Sequence, residues 1–141
     1  MGGNPLVGTW KLVSYSCSDE SGNVDYPLGP EASGYIIYTA DGYMSVSMSA
    51  ANRANYASED LKGGTVEEKT AAAETYIAYC GKYELHEDRV VHHIELAVFP
   101  NRVGTSQVRY YELSGDRIDL TTPPILINGR PQTCKLVWER P

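Results

Sequence analysis

Short runs of tyrosine, valine, isoleucine and threonine, each cut off by glycine, aspartate, asparagine or proline, recur along almost the whole chain. β-branched and aromatic side chains suit a pleated surface and the breakers suit turns, so such runs read as strands. They fall at 8–16, 34–40, 43–49, 81–86, 89–98, 106–113, 117–122 and 133–139. Links after the second run are mostly short, which predicts antiparallel neighbours. Eight meandering strands suffice to close an all-β up-and-down barrel.

One segment departs from this pattern. TVEEKTAAAETYIAYCG, 65–81, predicts a helix over about 65–80, inserted between strands three and four. Thr65 and Glu68 have capping-box spacing, the alanine-rich middle has high helix propensity, and Gly81 is a stop signal. Val66, Ala73, Tyr76, Ile77 and Cys80 would share one helical face. Before it, AANRANYASEDLKGG, 50–64, has no period and reads as a long loop. With the helix it is either a lid or a plain connection.

Composition narrows the function. A chain of 141 residues predicts a single domain, 1–141, with a real core. A net charge of −6 and the absence of any basic run argue against a nucleic-acid partner. No apolar run approaches the ~18 residues of a membrane helix. MGGNPLVG lacks the charged and apolar regions of a signal peptide, and Leu6 stands where a myristoylation motif has Ser or Thr. Cys17, Cys80 and Cys134 are far apart, odd in number and in no CxxC, which predicts free thiols in a reducing, cytoplasmic compartment. His86, His92 and His93 form no HxH or HxxxH set, so no metal is expected. No phosphate-cradling loop or dinucleotide fingerprint is present, so no cofactor is expected. Ser45 and Ser47 lie in no nucleophile-elbow context, nor does Ser14.

Strand parity predicts which side chains face the interior. KYELHEDRVVH (82–92) and YYELSGDRIDL (110–120) are nearly the same phrase around a turn. Asp119 is costly to bury, so Ile118 and Leu120 face in, and across the turn Leu113, Tyr111, Arg109 and Gln107. By analogy Tyr83, Leu85, Val90, His92, Ile94 and Leu96 face in, while Glu84, His93 and Glu95 face out. A three-residue turn at 40–42 pairs Thr39 with Tyr43 and puts Ile36, Tyr38, Met44, Val46 and Met48 inside. Lys135 and Glu139 face out, so Leu136 and Trp138 face in.

The predicted interior therefore holds His92, Arg109, Tyr111, Tyr38 and Gln107 among Met44, Met48, Ile94, Leu96 and Trp138, with Ser14 added as a ligand contact. An unpaired arginine in a dry core is costly, so these groups either satisfy one another or line a wet cavity. His92 is either a core histidine bonded to a tyrosine or a general acid–base. Arg109 either holds a backbone carbonyl or tyrosine, or binds a ligand oxygen through paired hydrogen bonds.

LVGTWKLV, with Gly8 and Trp10, resembles the Gly-x-Trp signature of lipocalins. GYIIYTADGYMSV, YIAYCGKYEL, VVHHIELAVFPNRVGTSQVRYYEL and GDRIDLTTPP resemble the small lipocalin-like domains of bacteria and fungi, over nearly the whole chain. The resemblance implies an eight-stranded barrel with an internal ligand cavity, and a basic residue of the last strand packed on Trp10; Arg140 is so placed, with Lys135 a poorer candidate. True lipocalins are usually secreted and disulfide-bonded, which is not carried over here. Barrels of this kind also include cofactor-free cyclases and isomerases of natural-product pathways, an analogy of fold alone.

The expected function is binding of a small apolar or amphipathic molecule bearing a carbonyl or carboxylate. Cofactor-free isomerisation, cyclisation or dehydration would follow if His92, with Tyr38 or Tyr111, moves a proton while Arg109 stabilises negative charge. A non-catalytic carrier and a structural protein with a filled barrel are the rivals. A monomer or homodimer is expected, with no nucleic-acid or membrane partner.

Overall fold

The computed structural model describes residues 3–141; Met1 and Gly2, on which the myristoylation motif depends, lie outside the described residues. Ten strands form one antiparallel sheet: β1 (Gly8–Ser18), β2 (Val24–Asp25), β3 (Ser33–Tyr38), β4 (Tyr43–Ser49), β5 (Tyr76–Leu85), β6 (Arg89–Ala97), β7 (Ser106–Ser114), β8 (Arg117–Thr121), β9 (Ile125–Ile127) and β10 (Arg130–Glu139). Pairing of β1 with β10 closes β1, β3, β4, β5, β6, β7, β8 and β10 into an eight-stranded barrel, which leaves no long edge unpaired. The short β2 and β9 pair outside the ring, on β1 and β10.

Helix α1 (Val66–Glu74) lies between the third and fourth barrel strands, and Thr65 and Glu68 form the capping box reciprocally. It ends earlier than expected. Thr75 leaves the helical region, and Tyr76–Cys80 join β5, pairing with β4 from Ser49↔Tyr76 to Ser45↔Cys80. Tertiary pairing overrides the helical spacing there, in a stretch whose tyrosines and isoleucine also suit a strand. Arg53 holds the helix end through the Thr75 hydroxyl and the Ala72 carbonyl, with its guanidinium over the Tyr76 ring. No described helix is long and apolar enough to cross a membrane.

One end of the barrel is closed by packing. Trp10 is buried and donates its indole N–H to the Leu6 carbonyl. The Arg140 guanidinium lies 3.7 Å from the Trp10 ring centroid and donates to the carbonyls of Val7 and Pro5. Gly8, at φ +120°, leaves the room this needs: a Cβ there would come within 2.7 Å of Arg140.

The cysteine expectation is overturned. The β1–β10 register sets Cys17 directly opposite Cys134, both facing in, and the two form a disulfide; Cys80 is the free thiol. The cytoplasmic expectation rested on three free thiols and loses that support.

Two irregularities redirect side chains that uniform parity would send inward. In β1 the register shifts between Leu12 and Ser14, so Ser14 pairs with Val137 on the outer side, while Tyr15 and Cys17 turn in. In β6, Gly81 pairs with Ile94 and Cys80 with Leu96, leaving Glu95 as the extra residue of a bulge. Leu96 is therefore turned outward and is 67% exposed. Leu113 shares the inward face of its partner Ile118, but at the end of its hairpin it is 39% exposed.

Candidate functional site

His92 lies on β6 and is 1% exposed, whereas its neighbour His93 is on the outer wall. There His93 bonds Ser106 through Nδ1 and Glu84 through Nε2, and Glu84 is drawn below the usual carboxylate range by that bond. Inside, the Tyr38 hydroxyl of β3 sits 2.7 Å from His92 Nε2, and the Tyr79 hydroxyl of β5 sits 2.7 Å from Nδ1. Burial, and then the positive charges of Arg109 and Arg102, hold His92 well below the usual imidazole range, so the ring is neutral. Burial pushes the Tyr38 phenol well above its ordinary value.

Arg109 of β7 is 5% exposed. Among the described residues its side chain makes one hydrogen bond, from Nη1 to the adjacent Val108 carbonyl, and pairs with no carboxylate. Arg102 shares this condition. It ends a 3₁₀ turn (Pro100–Arg102) in the β6–β7 link, with its guanidinium 5.5 Å from the Tyr79 ring centroid, and it too has no carboxylate partner among the described residues. Burial and the nearby Arg109 lower the Arg102 pKa, while Tyr79 opposes that shift.

The two guanidiniums line an inner void of about 30 Å³ with Tyr15, Tyr79, His92, Met48, Leu136 and Trp138. Trp138 is fully buried, and its indole N–H has no partner among the described residues. A void of this size holds one water molecule or the polar head of a ligand. It adjoins a pocket of about 450 Å³ at the barrel mouth, and Tyr15, Ile77, Tyr79, Arg102 and Ile125 belong to both walls. Leu28, Tyr76, Val98, Phe99, Leu126 and Ile127 give the outer pocket an apolar lining, edged by Ala73 and Glu74 at the helix end. Its volume is in the range of small-molecule sites.

The residues singled out in the sequence separate into three groups. His92, Arg109, Met48 and Trp138 line the inner void. Tyr38, Met44 and Ile94 are buried in the core behind it. Gln107 and Tyr111 are not on its wall: the Gln107 amide donates to Thr105, and the Tyr111 hydroxyl donates to the His86 carbonyl at the opposite rim. Ser14 and Leu96 point away, as described. The sequence reading missed Tyr15, Tyr79 and Arg102. Tyr15 was hidden by the β1 bulge and Tyr79 by assignment to a helix. Arg102 lies in a link with no period, where only its charge beside Phe99 and Pro100 marked it.

A family model agrees with the barrel: described as a lipocalin-like domain, it matches residues 7–141. The 4'-hydroxy-3'-methoxypropiophenone carrier protein ppsC of Aspergillus oryzae is 29% identical over 106 residues, covering 69% of this chain and 96% of that protein. A crystal structure of the lipoprotein YedD from Klebsiella pneumoniae aligns over 99% of this chain and 77% of its own, with a TM-score of 0.41 and 13% identity.

Proposed function

We propose, given that the chain belongs to the family of lipocalin-like domains, that it is a carrier for a small amphipathic molecule. The apolar body of the ligand would occupy the mouth pocket, and an oxygen function would reach the inner void. The carrying observation is a pair of arginines, Arg109 buried and Arg102 half-buried, without carboxylate partners among the described residues at the base of an apolar pocket. Uncompensated guanidiniums are costly in a dry core and useful where a ligand oxygen completes them. The relative named as a carrier of a hydroxylated aryl ketone gives the ligand a plausible size and polarity, an aromatic ring with carbonyl and phenol oxygens.

Cofactor-free isomerisation, cyclisation or dehydration by His92 has weaker support. A general base needs a nitrogen within reach of the substrate proton. Both His92 nitrogens are hydrogen-bonded to tyrosines, and the ring is held neutral by burial. His92 is better suited to positioning Tyr79 than to taking a proton.

Calorimetric titration with simple aryl ketones, followed by extraction and chromatography of the ligand, tests this reading. Saturable binding with the ketone recovered unchanged is expected of a carrier. Time-dependent conversion that disappears in Arg109→Gln would place the protein among the catalysts instead.

A further inference from the structure

We propose that the inner void accepts its ligand as an oxyanion, the deprotonated oxygen of a phenol, enol or carboxylic acid, and favours that form over the neutral acid. This rests on the carrier reading and specifies the chemical state of what is carried.

The groups around the void are strongly biased in charge. The titratable side chains on its wall are Tyr15 from β1, Tyr79 from β5, His92 from β6, Arg102 from the β6–β7 link and Arg109 from β7. The wall segments from β3, β4, β8 and β10 add only apolar, disulfide or indole groups. No carboxylate lines the void, although the chain as a whole carries a net charge of −6. An acidic protein has thus set two positive charges, one buried and one half-buried, on the wall of this void and kept all its acids off it.

Hydrogen bonding has the same bias. The guanidiniums donate and do not accept, and the buried indole N–H of Trp138 is a donor with no partner among the described residues. Tyr79 adds another. The fully interior Tyr38 hydroxyl has His92 Nε2 as its hydrogen-bond partner, so it satisfies its hydrogen by donating there. The neutral ring then carries its proton on Nδ1 and donates it to the Tyr79 oxygen, leaving the Tyr79 hydrogen for the void. Such donors favour an acceptor, and two adjacent positive charges favour one that is negative. The mutual repulsion that helps to lower the Arg102 pKa is relieved by an anion on the same wall.

4-Nitrophenol is a direct probe, because its phenolate is yellow and its phenol is not. 4-Nitroanisole is the neutral match and 4-nitrobenzoate the carboxylate match. On binding to the full-length protein, the apparent pKa of 4-nitrophenol should fall by about one unit or more, which is roughly tenfold tighter binding of the phenolate than of the phenol. Either anion should bind at least about tenfold tighter than 4-nitroanisole. Arg102→Gln, in the β6–β7 link rather than on a barrel strand, and Arg109→Gln should each remove most of that preference, weakening binding of the two anions about tenfold more than that of 4-nitroanisole. If 4-nitroanisole binds as tightly as the anions, or the bound phenol keeps its solution pKa, the oxyanion inference fails while the carrier reading stands. If none of the three binds, both fail.

Discussion

The Tyr38 hydroxyl and His92 Nε2 lie 2.7 Å apart in the barrel interior, on strands that are not neighbours in the sheet. With the Tyr38 hydroxyl donating to Nε2, as the oxyanion inference requires, the proton on the neutral ring sits on Nδ1. That tautomer should be visible in nitrogen-15 spectra of the imidazole, with Nδ1 protonated and Nε2 not. Tyr38→Phe leaves Nε2 without its donor in a dry site and should cost about 1–3 kcal/mol of stability. Tyr79→Phe should cost less, because that hydroxyl borders the void, and should weaken ligand binding more. A ring protonated on Nε2 would reverse the direction of the relay and remove Tyr79 as a donor to the void.

The same burial makes a prediction for pH. The folded-state pKa of His92 is lowered, and the unfolded chain protonates near 6.5. Below that pH the unfolded state binds a proton that the folded state refuses, so stability falls as pH falls. The slope is up to about 1.4 kcal/mol per pH unit, and it continues until the lowered folded pKa is passed. Well above 6.5 the group contributes no slope. Urea midpoints between about pH 7 and pH 5 should therefore fall more steeply for the wild type than for His92→Gln. Parallel curves would mean that the folded protein protonates His92 as readily as the unfolded chain.

The disulfide joins the first and last strands of the ring, across a sequence separation of 117 residues. It limits the unfolded chain over most of its length, and its loss should cost about 2–4 kcal/mol. Thiol titration of the unreduced protein in denaturant should count one thiol, Cys80, rather than three. Cys17→Ser with Cys134→Ser should lower the melting temperature and leave the β-sheet signal intact. Three reactive thiols in protein purified without reductant would restore the free-cysteine reading.

The barrel was legible because turn residues and alternating polarity repeat strand after strand, and because Asp119, Glu84 and Lys135 each exclude one face. His92, Arg109 and Trp138 could be placed on the inner face from that alternation alone. Where alternation slips, the reading fails by one residue. Ser14 and Leu96 were lost to bulges that no side chain announces, since a bulge is set by how two strands twist against each other. Tyr79 was lost because TAAAETYIAYC carries helical spacing up to the point where β4 captures it. The Cys17–Cys134 pair needed only the inward parity already assigned to Leu136 and Trp138, extended two residues back, together with the closure of β1 on β10. Distance in sequence concealed what barrel closure brings together.

The β6 bulge depends on Gly81, and that dependence can be measured. A Cβ on Gly81 would stand 2.0 Å from the His93 carbonyl oxygen and 3.0 Å from the Glu95 nitrogen, both backbone atoms that cannot swing away. Gly81→Ala must push β6 off β5 at the point where Tyr79 turns toward the void and Leu96 turns out. Overpacking of this kind costs about 1–3 kcal/mol and often more when backbone must move. The expected result is a destabilised protein with weaker ligand binding, since Tyr79 and Arg102 lie beyond the bulge. Gly104→Ala is the comparison: that glycine, unlike Gly81, has positive φ, and a Cβ there meets no atom within 4 Å, so the substitution should cost backbone strain alone. If Gly81→Ala proves no more harmful than Gly104→Ala, the two strands do not approach as closely as the bulge requires, and the inward turn of Tyr79 would need another cause.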